Sequence, residues 1–598
     1  MDATSTKFRN CPDRSRPLQA TEYAACSRLP HFPDVVPNGP SWSPARHTFV
    51  TSSSPLTPDS ACDLLRQHGT HECHDFRKRL FLRHEALCAE LAQSYLLTVQ
   101  ESSYVQANRN LLDVDQRLTV HDLNLSADLD SLKAFCRSRA LECTQAAERA
   151  RYSAECFQAL RAQAEKYRLT PPLPKDFEGD LLPCIKRLCN EGWWLRKVQK
   201  LQRRTIESIA RDLGLVCSQR SAYSSSYTRE SRRRQKAKTA EYLQNTYIEN
   251  DAGQQFSLKD LHDRSVSNPA VRRAELMTRI KGFEMVAQHL GHVGEFYTIT
   301  TPSRMHARLK RGGHNPKYDG TAPDEAHKYL TELFRCIRAK LHRNDLNVYG
   351  MRVVEPNHDG TPHWHLLLFM PAEHCEQVRA IFQEYSLRSD PNERGAAKHR
   401  FTAKHIDSNR GSAAGYVAKY VAKNIDGEYL DTDLHGLDAK DSARAIDAWA
   451  STYSIRQFQF IGGPSVTIWR ELRRLARSDN ERNDSELLQS AIRAADAAEW
   501  AAYVMVMGGP IMRRILRPIQ SLYERKQLAD PDTGEIQKNA ITRFGDLRAR
   551  RLVGLLVEAQ EIITRSRLWK LVPKGVPPHT CEHVRTGVRR YAALDSCQ

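Results

Sequence analysis

The chain has 598 residues, too many for one ordinary hydrophobic core, and its 89 Lys plus Arg against 71 Asp plus Glu leave a formal charge of +18. That balance, with a pI near 9.3, points to a polyanionic partner, nucleic acid ahead of a membrane surface. No apolar run reaches the roughly 18 to 20 residues that span a bilayer, and 15 irregularly spaced cysteines exclude a regular disulfide framework, so a soluble cytosolic protein is expected.

Residues 1–70 are rich in Ser, Pro and Thr, as in HFPDVVPNGPSWSP and TSSSPLTPDS, and carry no sustained hydrophobic period. Such a composition does not offset its own ordering entropy, and a disordered arm is expected. HGTHECHDF, with His68, His71, Cys73 and His74, lacks a zinc spacing and reads as the polar start of a helix. Residues 71–285 form a mainly helical, basic region: FRKRLFLRHEALCAELAQSYLL and AERARYSAECFQALRAQAEKY repeat apolar residues at spacings of three and four. YRLTPPLPKDFEGD interrupts the pattern with prolines. From Arg196 to Lys238 there are 13 Lys or Arg against 3 Asp or Glu, including SRRRQKAK with Tyr223 and Tyr227 nearby. This reads either as a surface for phosphates or as a solvated helix face with a basic loop.

Residues 286–430 change period. GEFYTITTP alternates and is a strand; DEAHKYLTELFRCIRAKLHRN is an amphipathic helix; LNVYGMRVVEP and HWHLLLFM are two strands joined through NHDGT, an Asp-Gly turn that makes them an antiparallel hairpin. The helix AEHCEQVRAIFQEYSL, the strand HRFTAKHI and a helix from GSAAGYVAKYVAKNI follow. The order β-α-β-β-α-β-α implies an α+β fold, a central antiparallel sheet with helices on one face, close to the ferredoxin-like split motif. Residues 431–598 are expected to be mainly helical, Asp484–Gly508 most clearly. Within them YSIRQFQFIGGPS offers Arg456, Gln457 and Gln459 either as DNA contacts or as a polar edge strand.

In the hairpin, His363 and His365 alternate onto one strand face with Trp364 on the other, and the turn folds Glu355 back beside them. Two imidazoles and a carboxylate make a His2Glu metal set with open positions for water or a phosphate oxygen. The same donors occur in non-haem iron oxygenases, but those place the carboxylate beside the first histidine. On the helix, Tyr416, Lys419, Tyr420 and Lys423 share one face, and the small apolar Val417, Ala418, Val421, Ala422 and Ile425 take the rest. Phenols beside ammonium groups and a metal-polarised phosphodiester are suited to attack on phosphorus, giving a phosphotyrosine and a free 3′ hydroxyl.

EPNHDGTPHWHLLLF followed by GSAAGYVAKYVAKNIDG resembles the HUH single-strand endonucleases, and most closely the replication gene A proteins of bacteriophages. The likeness runs from Arg272 to Arg477 and includes RRAELMTRIKGFE, GEFYTITTPSRMHARL and WASTYSIRQFQFIGGPSVTIWRELRRLAR. By that resemblance the 286–430 segment is the HUH nuclease core, and His363 and His365 are the metal pair with Glu355 as third ligand. It makes Tyr416 and Tyr420 alternating nucleophiles and the strand Tyr297–Thr301 the family's first motif. Lys419 and Lys423 are assigned to phosphate binding or phenol activation.

The implied activity is a DNA endonuclease and strand-joining enzyme that starts rolling-circle phage replication in the bacterial cytoplasm. It needs Mg²⁺ or Mn²⁺ and single-stranded or supercoiled origin DNA, and takes no small-molecule substrate. No Walker A sequence is present, so unwinding is expected from a host helicase and extension from a host polymerase. Competing expectations are an HUH transposase or relaxase, a non-catalytic origin-binding protein, and a metallohydrolase that uses water in place of tyrosine.

Overall fold

The computed structural model describes residues 56–575, apart from 175–179, 311–312, 408, 410, 429–430, 433–435, 437, 478–484 and 525–540. Most of the expected N-terminal arm lies outside the described residues, but order begins earlier than residue 70. Pro58–Leu64 is a helix with Thr57 as N-cap, Ser60 completing a capping box, and Pro58 in the first turn, where its missing N–H costs nothing. The proline that looked like part of a disordered tract is a helix start, and Ala61 and Cys62 are buried behind it.

The helical region that follows contains α1 (Glu191–Asp212) and α2 (Ser226–Gln244). After it come α3 (Pro269–Leu290), β1 (Val293–Ile299), α4 (Pro323–Arg343), β2 (Tyr349–Pro356), β3 (Pro362–Met370), α5 (Cys375–Ser386), β4 (Phe401–His405), α6 (Ala413–Ile425), α7 (Ala439–Tyr453) and β5 (Phe458–Ile461). The five strands form one sheet in the order β4-β1-β3-β2-β5, every neighbouring pair antiparallel. From β1 to α6 the element order is the one read from the sequence, and β5 is the edge strand allowed for there.

Helices cover both faces of the sheet, not one. Trp364, Leu366 and Leu368 of β3 pack on Leu330 and Ile337 of α4, Val378 and Phe382 of α5, and Trp449 of α7. Met351, Val353, Leu367 and Phe369 pack on Ile280 and Phe283 of α3, Val417 and Val421 of α6, and Trp469. All eight residues of β2 are buried. The cause was visible in the run LLLFM, which is apolar without alternation, the mark of a strand with two dry faces.

The C-terminal region is less helical than expected. Val466–Leu475, Glu486–Asp496 and Trp500–Val506 are helices, but from Ile519 onward the described regular elements are strands. Leu552–Val557 and Gln560–Ile563 form a hairpin whose two turn residues, Glu558 and Ala559, both have positive φ (48° and 68°). That backbone usually carries Asn-Gly, so the sequence hides the turn. Trp569–Pro573 crosses the chain to pair with Thr246–Asn250.

Two expectations test the sheet. A Cβ on Gly350 of β2 would stand 1.9 Å from the Leu367 carbonyl oxygen, a backbone atom that cannot turn away. Gly350→Ala should therefore cost on the order of 4 kcal/mol, read as a fall in the denaturant midpoint; an unchanged midpoint would mean that the strands part there freely. His327 accepts the Trp364 indole N–H at 3.4 Å, and burial together with the Arg352 charge pushes it down to about 4. Below its ordinary pKa near 6.5 the unfolded chain takes up a proton that the folded chain refuses, so stability falls as pH drops from there toward 4. His327→Gln should flatten that part of the stability curve relative to the parent protein.

Candidate active site

The β2–β3 hairpin places the first three groups. Its register sets Glu355 opposite His363 and Val353 opposite His365, while β1 sets Thr298 on the other side of His365. The turn closes through Asn357 N donating to Thr361 O at 2.8 Å and Gly360 N to Asn357 O at 2.9 Å, with Gly360 at φ 80°. Surface hairpin turns are wet; residues 358–361 are buried. Arg211 of α1 donates from Nε to the Asp359 carbonyl at 2.8 Å and from Nη2 to Thr361 Oγ1 at 3.2 Å. Trp449 Nε1 donates to the Gly360 carbonyl at 2.8 Å, and the Tyr223 amide to the His358 carbonyl at 3.1 Å. Burial pushes the Asp359 carboxyl up, but the His306 imidazole and Arg211 guanidinium outweigh it and hold the group well below the usual carboxylate range.

At the mouth of the hairpin, His363 Nε2 and His365 Nε2 stand 3.0 Å apart, and Glu355 Oε2 lies 3.9 and 3.8 Å from them. Among the described residues this is the single cluster of three or more His, Cys, Asp or Glu able to share an ion, its atoms all within 4.8 Å. Two ligands bonded to one cation at about 2.1 Å sit roughly 3.0 to 3.4 Å apart, so the two imidazoles have the spacing of a divalent-metal pair, and the Glu355 carboxylate would close in by about half an ångström to join them. Burial pushes the His365 imidazole down to about 4, and burial and the His365 charge push His363 well below its ordinary value. Both are thus neutral at pH 7, the form that binds metal. Thr298 Oγ1 lies 3.0 Å from His365 Nδ1 and can take its proton, leaving Nε2 free toward the cluster.

Glu355 is held by the helix carrying the phenols. Asn424 donates Nδ2 to Glu355 Oε1, Lys423 donates Nζ to Oε2 at 3.2 Å, and Gln457 donates Nε2 to Asn424 Oδ1 at 3.2 Å. The start of α6 is capped by Ser412 and by Glu284 of α3, which accepts the Ala413 amide. From that position Tyr420 lays its ring 4.4 Å from the His365 ring, centroid to centroid, and Phe296 of β1 touches Tyr416 at 4.6 Å and Tyr420 at 5.3 Å. Lys419 Nζ stands 4.8 Å from the Tyr416 ring and 5.2 Å from Tyr420, and Lys404 of β4 reaches Tyr416 from the far side at 5.0 Å. Burial pushes the Tyr420 phenol up, and burial with the Lys404 charge pushes the Lys419 ammonium down.

All seven residues singled out in the sequence, Glu355, His363, His365, Tyr416, Lys419, Tyr420 and Lys423, therefore gather in one place. Tyr297 does not: it points to the opposite sheet face against Phe382 and Phe401, and its neighbours Phe296 and Thr298 face the site. Asn424, Thr298, Phe296 and Lys404 were missed, and Gln457 was read for a different role. Asn424 and Lys404 stood inside the motifs already quoted, and a count along α6 would have put Asn424 one turn beyond Tyr420. Gln457, read as a possible DNA contact, is buried, while Arg456 beside it is exposed. His71 and Cys73 open the helix His71–Arg83, as the polar-start reading had it.

Residues 125–428 match the family model of the bacteriophage replication gene A protein (GPA). The chain belongs to this family. It is 41% identical over 425 residues to the replication gene A protein of Escherichia phage 186, covering 68% of this chain and 59% of that one. The replication protein of Haemophilus phage HP1 is 38% identical over 419 residues, 69% of this chain and 51% of its own. A probable replication endonuclease from a prophage-like region of Salmonella typhimurium is 34% identical over 436 residues, 70% and 52%. The chain spans about half to three-fifths of the length of these relatives. No solved structure matches it. In this gene A family member the seven gathered residues all fall inside the matched segment, whereas Gln457 and the edge strand β5 lie beyond it.

The donor set makes a prediction that needs no DNA. Titration of the protein with Mn²⁺, followed by calorimetry or by loss of the free-ion electron-spin signal, should show one site that is absent in His365→Ala. Asn424→Ala and Thr298→Val should each weaken it by about 10- to 100-fold. Undiminished binding in His365→Ala would mean that the ion sits elsewhere.

Proposed function

We propose that the chain cuts and rejoins one DNA strand at a replication origin, with Tyr416 and Tyr420 as nucleophiles and a 5′-phosphotyrosine intermediate. The observation that carries this reading is the contact of the two-phenol helix with the His363, His365 and Glu355 cluster, the Tyr420 and His365 rings being 4.4 Å apart. The replication names of the relatives agree with it. So does the sheet: counted along the chain, its first four strands lie in the order 4-1-3-2, which supports an HUH nuclease core of ferredoxin-like topology.

A divalent ion, Mg²⁺ or Mn²⁺, held by Glu355, His363 and His365 would neutralise charge on the non-bridging oxygens of the scissile phosphate. The chain's own groups do the rest. A tyrosine Oη attacks phosphorus; the O–P bond forms, the P–O3′ bond breaks, and the departing 3′ oxygen gains the proton lost by the phenol. A phenol whose pKa is raised, as that of Tyr420 is, stays protonated at pH 7, so its proton leaves during the attack. Lys419, beside both rings, stabilises the phenolate character that develops, and Lys423 steadies the Glu355 carboxylate. With one tyrosine holding the 5′ end, the second attacks at the regenerated origin, and the energy of the first bond is kept for closure. A host helicase would unwind the duplex, and a host polymerase would extend the 3′ hydroxyl.

Labelled single-stranded origin DNA incubated with protein and Mg²⁺ or Mn²⁺ should yield label that migrates with protein on a denaturing gel, and chelator should abolish it. Each single variant, Tyr416→Phe or Tyr420→Phe, should retain adduct, and the double variant should have none while still binding DNA. Cleavage without adduct would replace this reading with a water-using nuclease. Neither cleavage nor adduct would leave a binding protein.

A further inference from the structure

The basic stretch from Arg196 to Lys238 divides in the structure into cations that build the fold and cations that do not. Arg204 is tied to Asp324 at 2.5 Å, Arg211 is buried at the hairpin turn, and Arg232 pairs with Asp447 at 2.9 Å. The two tyrosines that might have stacked on bases are spent as well: Tyr223 is buried and Tyr227 packs against the helical core. What remains is the outer half of α2, with Arg196 and Lys200 exposed on α1. Every residue from 233 to 242 is exposed, on all sides of the helix, and of the whole 19-residue helix Thr228 alone is buried.

The outer half of α2, exposed all round, gains little from packing, and isolated helices of this length are marginal in water. Its charge names what it meets. Arg232, Arg233, Arg234 and Lys236 share two carboxylates, Glu230 and Asp447, and Lys238 has no ion pair among the described residues. At its root, Arg203, Ser231, Arg232, Gln235 and Ser451 line a cleft between α1, α2 and α7. α7 packs against α2 on one side and the phenol helix α6 on the other.

We propose that the outer half of α2 binds double-stranded DNA next to the strand being cut, lying in the major groove. Ten exposed residues extend about 15 Å, and a single helix fits a groove about 12 Å wide. A single strand is the poorer match, because single-strand surfaces offer aromatic platforms and this one has only Tyr242 at its far end. The proposal rests on the origin-nicking reading for the identity of the DNA, not for the contact itself.

The test combines Arg233→Gln, Arg234→Gln, Lys236→Gln and Lys238→Gln in the full chain, and measures fluorescence anisotropy with a labelled duplex and a labelled single strand of equal length over a salt series. All four positions are exposed, and the one tie lost to another helix is that of Lys236 to Asp447, which Arg232 still holds, so the thermal midpoint should change little. Duplex affinity should fall at least about tenfold near 0.1 M salt, and the slope of log K against log salt should flatten by about three to four, one near-unit step per phosphate contact. Single-strand affinity should hold. Equal loss on both forms, loss on the single strand alone, or no loss at all overturns the proposal. Adduct formation on a short single strand judges the nicking reading separately, since that substrate has no groove to fill.

Discussion

The β2–β3 register depends on a turn that the rest of the chain has closed over. A hairpin joined by Asn357–Thr361 could slip by one residue in isolation, and a slip would send both imidazoles to the opposite face of the sheet. Arg211, Trp449 and Tyr223 prevent this by pairing with the carbonyls of Asp359, Gly360 and His358. Each of those carbonyls is out of water, and a shifted register would leave them without donors at about 1 to 3 kcal/mol apiece. The Arg211 guanidinium and the Asp359 carboxylate raise the stakes, since a buried charge stripped of its partner costs more still, about 3 to 5 kcal/mol. The helical region therefore does more than flank the sheet: it holds the loop on which the positions of His363, His365 and Glu355 depend.

A second fastening runs across the sheet. Glu355 sits on β2, Asn424 on α6 and Gln457 just ahead of β5, and their side chains form one chain of hydrogen bonds. The carboxylate cannot turn without disturbing the helix that carries Tyr416 and Tyr420, so donors and phenols keep a fixed relation. Phe296 adds to this by packing against the His365 ring and both phenols. Lys404 and Lys419 then place two positive charges around one phenol while the carboxylate stays paired to Lys423. A surplus of positive charge close to the rings suits a site for a phosphodiester.

Much of this was legible in the residues. The alternation of GEFYTITT, the Asp-Gly turn and the His-Trp-His pair define three adjacent strands, and the spacing of Tyr416, Lys419, Tyr420 and Lys423 defines a helix face. The information that was missing is long-range. Nothing in LLLFM says which helices cover its second face, and Gln457 becomes a partner of Asn424 only once β5 pairs with β2. The C-terminal strands escaped for a local reason: Glu558 and Ala559 take a left-handed turn without the residues that normally announce one. The Ser- and Pro-rich text around Thr57 misled in the other direction, because one proline in the first turn of a helix looks like any other in a disordered tract.

The pairing of Trp569–Pro573 with Thr246–Asn250 bears on how the chain comes off the ribosome. Thr246–Asn250 follows directly on α2 and is the middle strand of its small sheet, with Gln255–Ser257 on its other side. Its outer partner is synthesised more than three hundred residues later, after both the sheet and the phenol helix have left the exit tunnel. During that interval the strand, at the far end of α2, presents an open edge to the cell. Closure of the small sheet is thus a late event of high contact order. A nascent chain acquires its cluster of His, Glu and Tyr side chains before it closes the small sheet at the far end of its most basic helix.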